Sequence, residues 1–131
     1  MTLLDLVRGT LRRLWQTDWQ VPSDIDPECV DLCRAMNALP GIKTTESCCG
    51  HGRSSYNVYF HADNLDCLPA LLYWFDPCHC GFADWWVTVL TDCAMRPAYF
   101  CMEGPTGEIA YQQSKDIARL IEQYVRQERK E

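Results

Sequence analysis

The stretch of residues 56–61 places apolar side chains at alternate positions. Tyr56, Val58 and Phe60 are separated from one another by Asn57, Tyr59 and His61. Because side chains two residues apart share one face of a strand, this spacing predicts a half-buried β-strand.

Three further stretches have strand character. Residues 85–91 are rich in β-branched and aromatic side chains, and residues 98–103 follow them after a turn at 92–97. This arrangement predicts a β-hairpin. Residues 42–47 are expected to be extended and to lead into a glycine-rich loop.

Apolar residues at helical spacing predict four helices, at about residues 4–14, 26–39, 65–75 and 111–129. Asp26 and Pro27 are a favourable helix start, with an N-cap acid followed by proline in the first turn. Pro69 lies within the third predicted helix, where its missing N–H makes the helical register uncertain.

The order of these elements is helix, helix, strand, strand, helix, strand, strand, helix. It predicts an α/β (α+β) fold in which helices pack on one sheet. We expect a single two-layer domain over residues 1–131, with a mixed or antiparallel sheet of about four strands and about four helices.

The charge balance limits the classes of partner. The chain has 12 basic and 18 acidic residues and a formal net charge of -6. This balance argues against bulk attraction to nucleic acid or to an anionic membrane. The sequence shows no secretory signal and no apolar run long enough to cross a bilayer, so we expect a cytoplasmic protein.

The densest group of chemically useful side chains lies at residues 46–53. Two glycines here allow positive φ angles, and successive backbone amides in such a turn can bind an anion. Arg53 can contact phosphate or carboxylate through two hydrogen bonds, and His51 can carry a proton near neutral pH. The candidate ligand-binding residues are Glu46, Ser47, Cys48, Gly50, His51, Gly52 and Arg53.

This part of the chain resembles the tRNA wybutosine-synthesis methyltransferase family, whose motif is Thr-Thr-Ser-Ser-Cys-Ser-Gly-Arg. The resemblance covers about a quarter of the chain and includes Asp31, Leu32 and Asn37, with motif matches at Thr44, Thr45, Ser47, Cys48 and Gly50. Glu46, Cys49 and His51 depart from the motif, and Arg53 follows two residues late. The resemblance implies a related loop and scaffold more than methyl transfer.

The Glu-Ser-Cys-Cys-Gly-His form of the motif is also similar to small uncharacterised bacteriophage and prophage proteins. From the anion-cradling loop at residues 46–53 we expect a small-molecule-binding protein for a nucleotide or nucleotide-derived anion. That resemblance implies a phage protein that sequesters a signal of host defence in the host cytoplasm. Arg53 and the loop amides would bind phosphate, and Glu46 a sugar or base edge. We expect no catalytic residues, no cofactor and a possible homo-oligomer.

The chain has nine cysteines, which suggest two alternative hypotheses. An odd count without an export signal argues against a disulfide framework. A zinc-stabilised interaction module would take two ligands from Cys48, Cys49 and His51 and two from Cys78, His79 and Cys80, although paired zinc ligands usually have wider spacing. The other hypothesis is that the chain is an enzyme, either one related to the methyltransferases or one that uses the Cys48 or Cys49 thiol as a nucleophile.

Overall fold

A computed structural model describes residues 19–63, 65–73, 82–90 and 99–130. The strands are β1 (Ile42–Cys48), β2 (Asn57–Ala62), β3 (Trp86–Leu90) and β4 (Tyr99–Glu103). The α-helices of the described residues are α1 (Val30–Ala38), α2 (Pro69–Leu72) and α3 (Glu108–Lys130). Short 3₁₀ turns span Pro27–Cys29, Gly50–Gly52 and Leu65–Cys67. The predicted helix at residues 4–14 and the predicted turn at 92–97 lie outside the described residues.

The four strands form one antiparallel sheet in the order β1-β2-β4-β3. The predicted hairpin is confirmed, because β3 pairs with β4 in an antiparallel register that aligns Leu90 with Tyr99. The predicted α+β class is also confirmed, and the sheet is antiparallel rather than mixed. Its central strands are β2 and β4, so the strand predicted from alternation lies in the middle of the sheet.

The core lies between one face of the sheet and helices α1 and α3. The predicted inward face is confirmed, since Val58 and Phe60 of β2 and Tyr56 directly before it are all fully buried. The rings of Phe60 and Phe100 stack across β2 and β4 with centroids 5.3 Å apart. Buried residues of α3 at helical spacing complete the layer: Ala110, Ser114, Ile117, Ala118, Ile121 and Val125.

The helices differ from the prediction in two places. The segment predicted as one helix over 65–75 contains a 3₁₀ turn at Leu65–Cys67 and then the separate helix α2. Proline has no N–H to continue a helix but suits its first turn, so Pro69 begins α2. Helix α3 begins three residues before the predicted Tyr111, directly after the left-handed Gly107. The described residues contain three α-helices, at the places of three of the about four predicted helices, and the predicted helix at 4–14 lies outside them.

Candidate functional site

The loop after β1 turns sharply at three consecutive residues with positive φ. These are Gly50, His51 and Gly52, with φ angles of 81°, 53° and 75°. A Cβ on Gly50 would lie 3.0 Å from the carbonyl oxygen of Ser55, so glycine is required there for space as well as for φ. The predicted use of two glycines in a tight turn is confirmed. His51 belongs to the residue types that most often adopt this conformation without being glycine.

Three backbone amides at this turn already have partners within the chain. The Cys49 N–H donates to Asp26 Oδ2 at 2.9 Å. The amides of Gly50 and His51 donate to the sulfurs of Cys48 and Cys49, at 3.3 Å and 3.4 Å. A carboxylate from the chain itself therefore occupies one position where the sequence suggested a bound anion.

Asp26 has the predicted N-cap position but a different role. It precedes the 3₁₀ turn that leads into α1, yet its side chain makes no hydrogen bond to that turn. Its carboxylate instead accepts the Cys49 N–H, and this bond holds the pKa of Asp26 below its usual value. His51 contributes to the same lowering, with Nε2 at 3.8 Å from Asp26 Oδ2. Asp26 is absent from the sequence-predicted site because no local pattern links it to a loop so far along the chain.

The fold also places the His51 imidazole close to both the Cys49 thiol and the Asp26 carboxylate. Cys49 Sγ lies 3.7 Å from His51 Nδ1, and Nε2 of the same ring faces Asp26. A thiol enzyme would require an accessible thiolate at Cys49. Cys49 is only 3% exposed, and burial raises the pKa of its thiol. The arrangement therefore does not favour Cys49 as a nucleophile.

A cleft of about 320 Å³ lies beside β1 and includes two of the predicted site residues, Glu46 and Ser47. Its described lining is Trp19, Pro22, Asp24, Ile25, Cys33, Thr44, Thr45, Glu46 and Ser47. Two of these lining residues are acidic and none is basic. The segment 19–25, which is absent from the predicted site, therefore supplies one wall. Its aromatic Trp19 is the signal that could have indicated a ligand surface there.

The cleft wall is shaped by a buried amide that joins α1 to β1. Asn37 is 4% exposed, and its Nδ2 donates to Thr44 Oγ1 and to the Cys33 carbonyl, each at 2.7 Å. The Thr44 N–H donates back to Asn37 Oδ1 at 3.1 Å. The pairing register of β1 shifts between Thr44 and Glu46, so the anchored residue lies directly beside an irregularity of the strand.

The remaining predicted residues do not line this cleft. Cys48 and His51 lie at the end of β1 beside Asp26, and all three offer ligand atoms within 4.8 Å of one another. Gly50 and Gly52 shape the turn, and Arg53 is exposed after it. The structure thus divides the predicted site into a cleft beside β1 and a cluster at the end of that strand. The second predicted zinc cluster, at 78–80, lies outside the described residues.

A second cleft of about 500 Å³ contains no predicted site residue. Its described lining is Pro69, Ala70, Tyr73, Tyr124 and Gln127. These residues come from α2, its C-terminal flank and α3. The cleft is therefore an alternative ligand position that an experiment can distinguish from the one beside β1.

No protein-family model, curated protein or solved structure matches this chain. The resemblance to the wybutosine-synthesis methyltransferases therefore stays a prediction that rests on the motif. Among the described residues, no helix combines the length and apolar character needed to cross a membrane.

Proposed function

We propose that this chain binds a nucleotide-type small molecule, with the nucleoside part in the cleft beside β1. The observation that carries the proposal is the cleft itself, which combines an aromatic wall at Trp19 with the polar side chains of β1. Its volume of about 320 Å³ lies at the lower end of the usual range for small-molecule sites, about 300–1,000 Å³. Such a cleft suits a base and a sugar better than a long extended ligand.

The lining supplies the contacts that a nucleoside needs. An indole ring such as that of Trp19 offers an apolar surface for a base. The hydroxyls of Thr44 and Ser47 can each donate and accept hydrogen bonds. The Glu46 carboxylate accepts hydrogen bonds only, which suits a sugar hydroxyl or a base amino group.

The charge of the lining favours a phosphate position outside the cleft. Asp24 and Glu46 line it, and a phosphate beside them would meet two like charges. Arg53 is exposed in the turn that follows β1 and is the predicted phosphate contact. Since the amide of Cys49 already binds Asp26, we assign most of the affinity to the base and sugar.

Binding without turnover is the simplest activity for this arrangement. The cleft needs no catalytic residue to retain a ligand. Sequestration of a nucleotide signal, which the bacteriophage resemblance implies, is a role that such binding would serve. The source of the ligand and any assembly of the chain into a homo-oligomer stay predictions from the sequence.

A thermal-shift series of nucleosides and nucleotides, including cyclic nucleotides and S-adenosylmethionine, tests this proposal. A ligand at one hundred times its Kd stabilises the folded state by about 2.7 kcal/mol, which is a measurable shift in Tm. We expect at least one intact nucleotide to stabilise the chain, without turnover. We also expect the matching nucleoside to retain a large part of the shift. No response to any member of the series would contradict the proposal.

Glu46→Gln is expected to weaken binding of the responding ligand by about tenfold, because the amide keeps an acceptor oxygen but loses the charge that strengthens the hydrogen bond. Arg53→Ala should weaken binding of the nucleotide and leave binding of the nucleoside almost unchanged. Glu122→Gln and Arg126→Ala are the matched controls, since these residues of α3 do not line the cleft. Titration calorimetry measures all four variants, and equal Kd values for Glu46→Gln and Glu122→Gln would exclude Glu46 from the site.

A further inference from the structure

We propose that Asp26, Cys48 and His51 form a binding site for a single divalent metal ion of the zinc type. One carboxylate oxygen, one sulfur and one imidazole nitrogen all lie within 4.8 Å of one another. Ligand atoms at Zn–N and Zn–S distances of about 2.0–2.3 Å in tetrahedral geometry lie about 3.3–3.8 Å apart. The separation of 3.8 Å between His51 Nε2 and Asp26 Oδ2 is a few tenths of an ångström longer than the roughly 3.3–3.5 Å of a nitrogen and an oxygen ligand on one tetrahedral zinc. A small rotation of the exposed His51 side chain can close this difference.

The donor set selects the class of metal. Sulfur and imidazole ligands suit Zn²⁺ and similar transition metals, whereas Mg²⁺ and Ca²⁺ prefer oxygen ligands. A Cys48 thiolate and the Asp26 carboxylate together carry two negative charges, which a divalent ion neutralises. Binding of the ion displaces the thiol proton of Cys48 to solvent, so no oxidant or reductant is required.

Two of the three ligands are held by hydrogen bonds from the same turn. The Gly50 N–H donates to Cys48 Sγ at 3.3 Å, and the Cys49 N–H donates to Asp26 Oδ2 at 2.9 Å. Such contacts orient metal ligands and strengthen their binding. These amides lie in the turn where the sequence suggested an anion cradle, and here they support ligands of a cation.

The proposed ligand set differs from the zinc hypothesis that the sequence suggested. Asp26 comes from the segment before α1, while Cys49, which lies 3.7 Å from His51 Nδ1, is buried and is not part of the proposed set. Three protein ligands leave a fourth tetrahedral position for water or another molecule. The His51 side chain is 67% exposed, so this position can open to solvent. The site does not depend on the proposed nucleotide binding.

Titration of the reduced full-length chain with Co²⁺ under anaerobic conditions tests the site. We expect the near-ultraviolet charge-transfer band of a cobalt–thiolate bond, and displacement of cobalt when Zn²⁺ is added. Cys48→Ser should abolish the band, and the matched control Cys67→Ser should retain it. Absence of the band from the parent chain would overturn the proposal.

Two further variants keep the test decisive if Cys48→Ser does not fold. His51→Asn keeps a residue that tolerates positive φ, and Asp26→Asn keeps an acceptor for the Cys49 N–H. Each should lower cobalt affinity by about tenfold or more while the far-ultraviolet circular dichroism stays that of the parent. A band that survives Cys48→Ser would assign the metal to other thiols and overturn the proposal. Unchanged cobalt affinity in both of the other variants would exclude His51 and Asp26 as ligands and overturn it as well.

Discussion

Phe60→Ala is expected to lower the free energy of unfolding by about 3–5 kcal/mol, the usual range for truncating a buried phenylalanine. Phe60 is fully buried in β2, one of the two central strands. Its ring stacks on Phe100 of the neighbouring strand with an interplanar angle of 21°. Truncation removes this contact and leaves a cavity in the middle of the core, where neighbouring side chains can relax only partly.

Urea unfolding followed by circular dichroism measures the change, provided that the m-value stays constant. The control is Val89→Ala on edge strand β3, where the side chain is 65% exposed. We expect a change within about 0.5 kcal/mol for this control, as for most surface substitutions. A loss below about 1 kcal/mol for Phe60→Ala would contradict the central position of β2 in the core.

Asn37→Ala is expected to cost about 1–3 kcal/mol, because it leaves polar groups of Thr44 and Cys33 without their partner. The Asn37 side chain makes three hydrogen bonds. Two of them join α1 to Thr44 of β1, and the third goes to the Cys33 carbonyl within α1. The loss should also disturb the irregular part of β1 beside Glu46, so ligand affinity should fall together with stability.

A double-mutant cycle with Thr44→Val separates the contacts of Asn37. Thr44→Val removes only the hydroxyl that accepts from Asn37 and keeps the N–H that donates to it. We therefore expect Thr44→Val to cost less than Asn37→Ala, and the double variant to cost less than the sum. Additive losses would show that the two side chains are not coupled and would contradict this account of the cleft wall.

The features that could be predicted from sequence are those with a local cause. Alternation at Tyr56, Val58 and Phe60 indicates the buried face of β2, because the strand period is a property of the backbone. The two glycines at 50 and 52 indicate a tight turn for a similar reason. Pro69 shows the limit of such local patterns. The predicted helix over residues 65–75 contains Pro69 in its interior, whereas in the structure Pro69 begins the separate helix α2.

The features that could not be predicted depend on contacts between distant segments. Asp26 has a favourable local sequence for a helix N-cap, but its carboxylate binds the amide of Cys49. Trp19 and Asp24 have no periodicity that would indicate a cleft, and they line one only because the chain before α1 lies against β1. The cleft and the proposed metal-ligand cluster both arise from these long-range contacts. The side-chain chemistry of Glu46, Ser47, Cys48 and His51 is enough to predict them as site residues from the sequence.

Hydrogen–deuterium exchange with and without the nucleotide that gives the largest thermal shift would locate its binding site. Bound at the proposed position, the ligand should slow exchange in β1 and in residues 19–25, where the described lining of the first cleft lies. The amides around Pro69 and Tyr124, in the second cleft, should exchange at unchanged rates. Protection confined to this second cleft, with β1 unaffected, would contradict a nucleotide site beside β1.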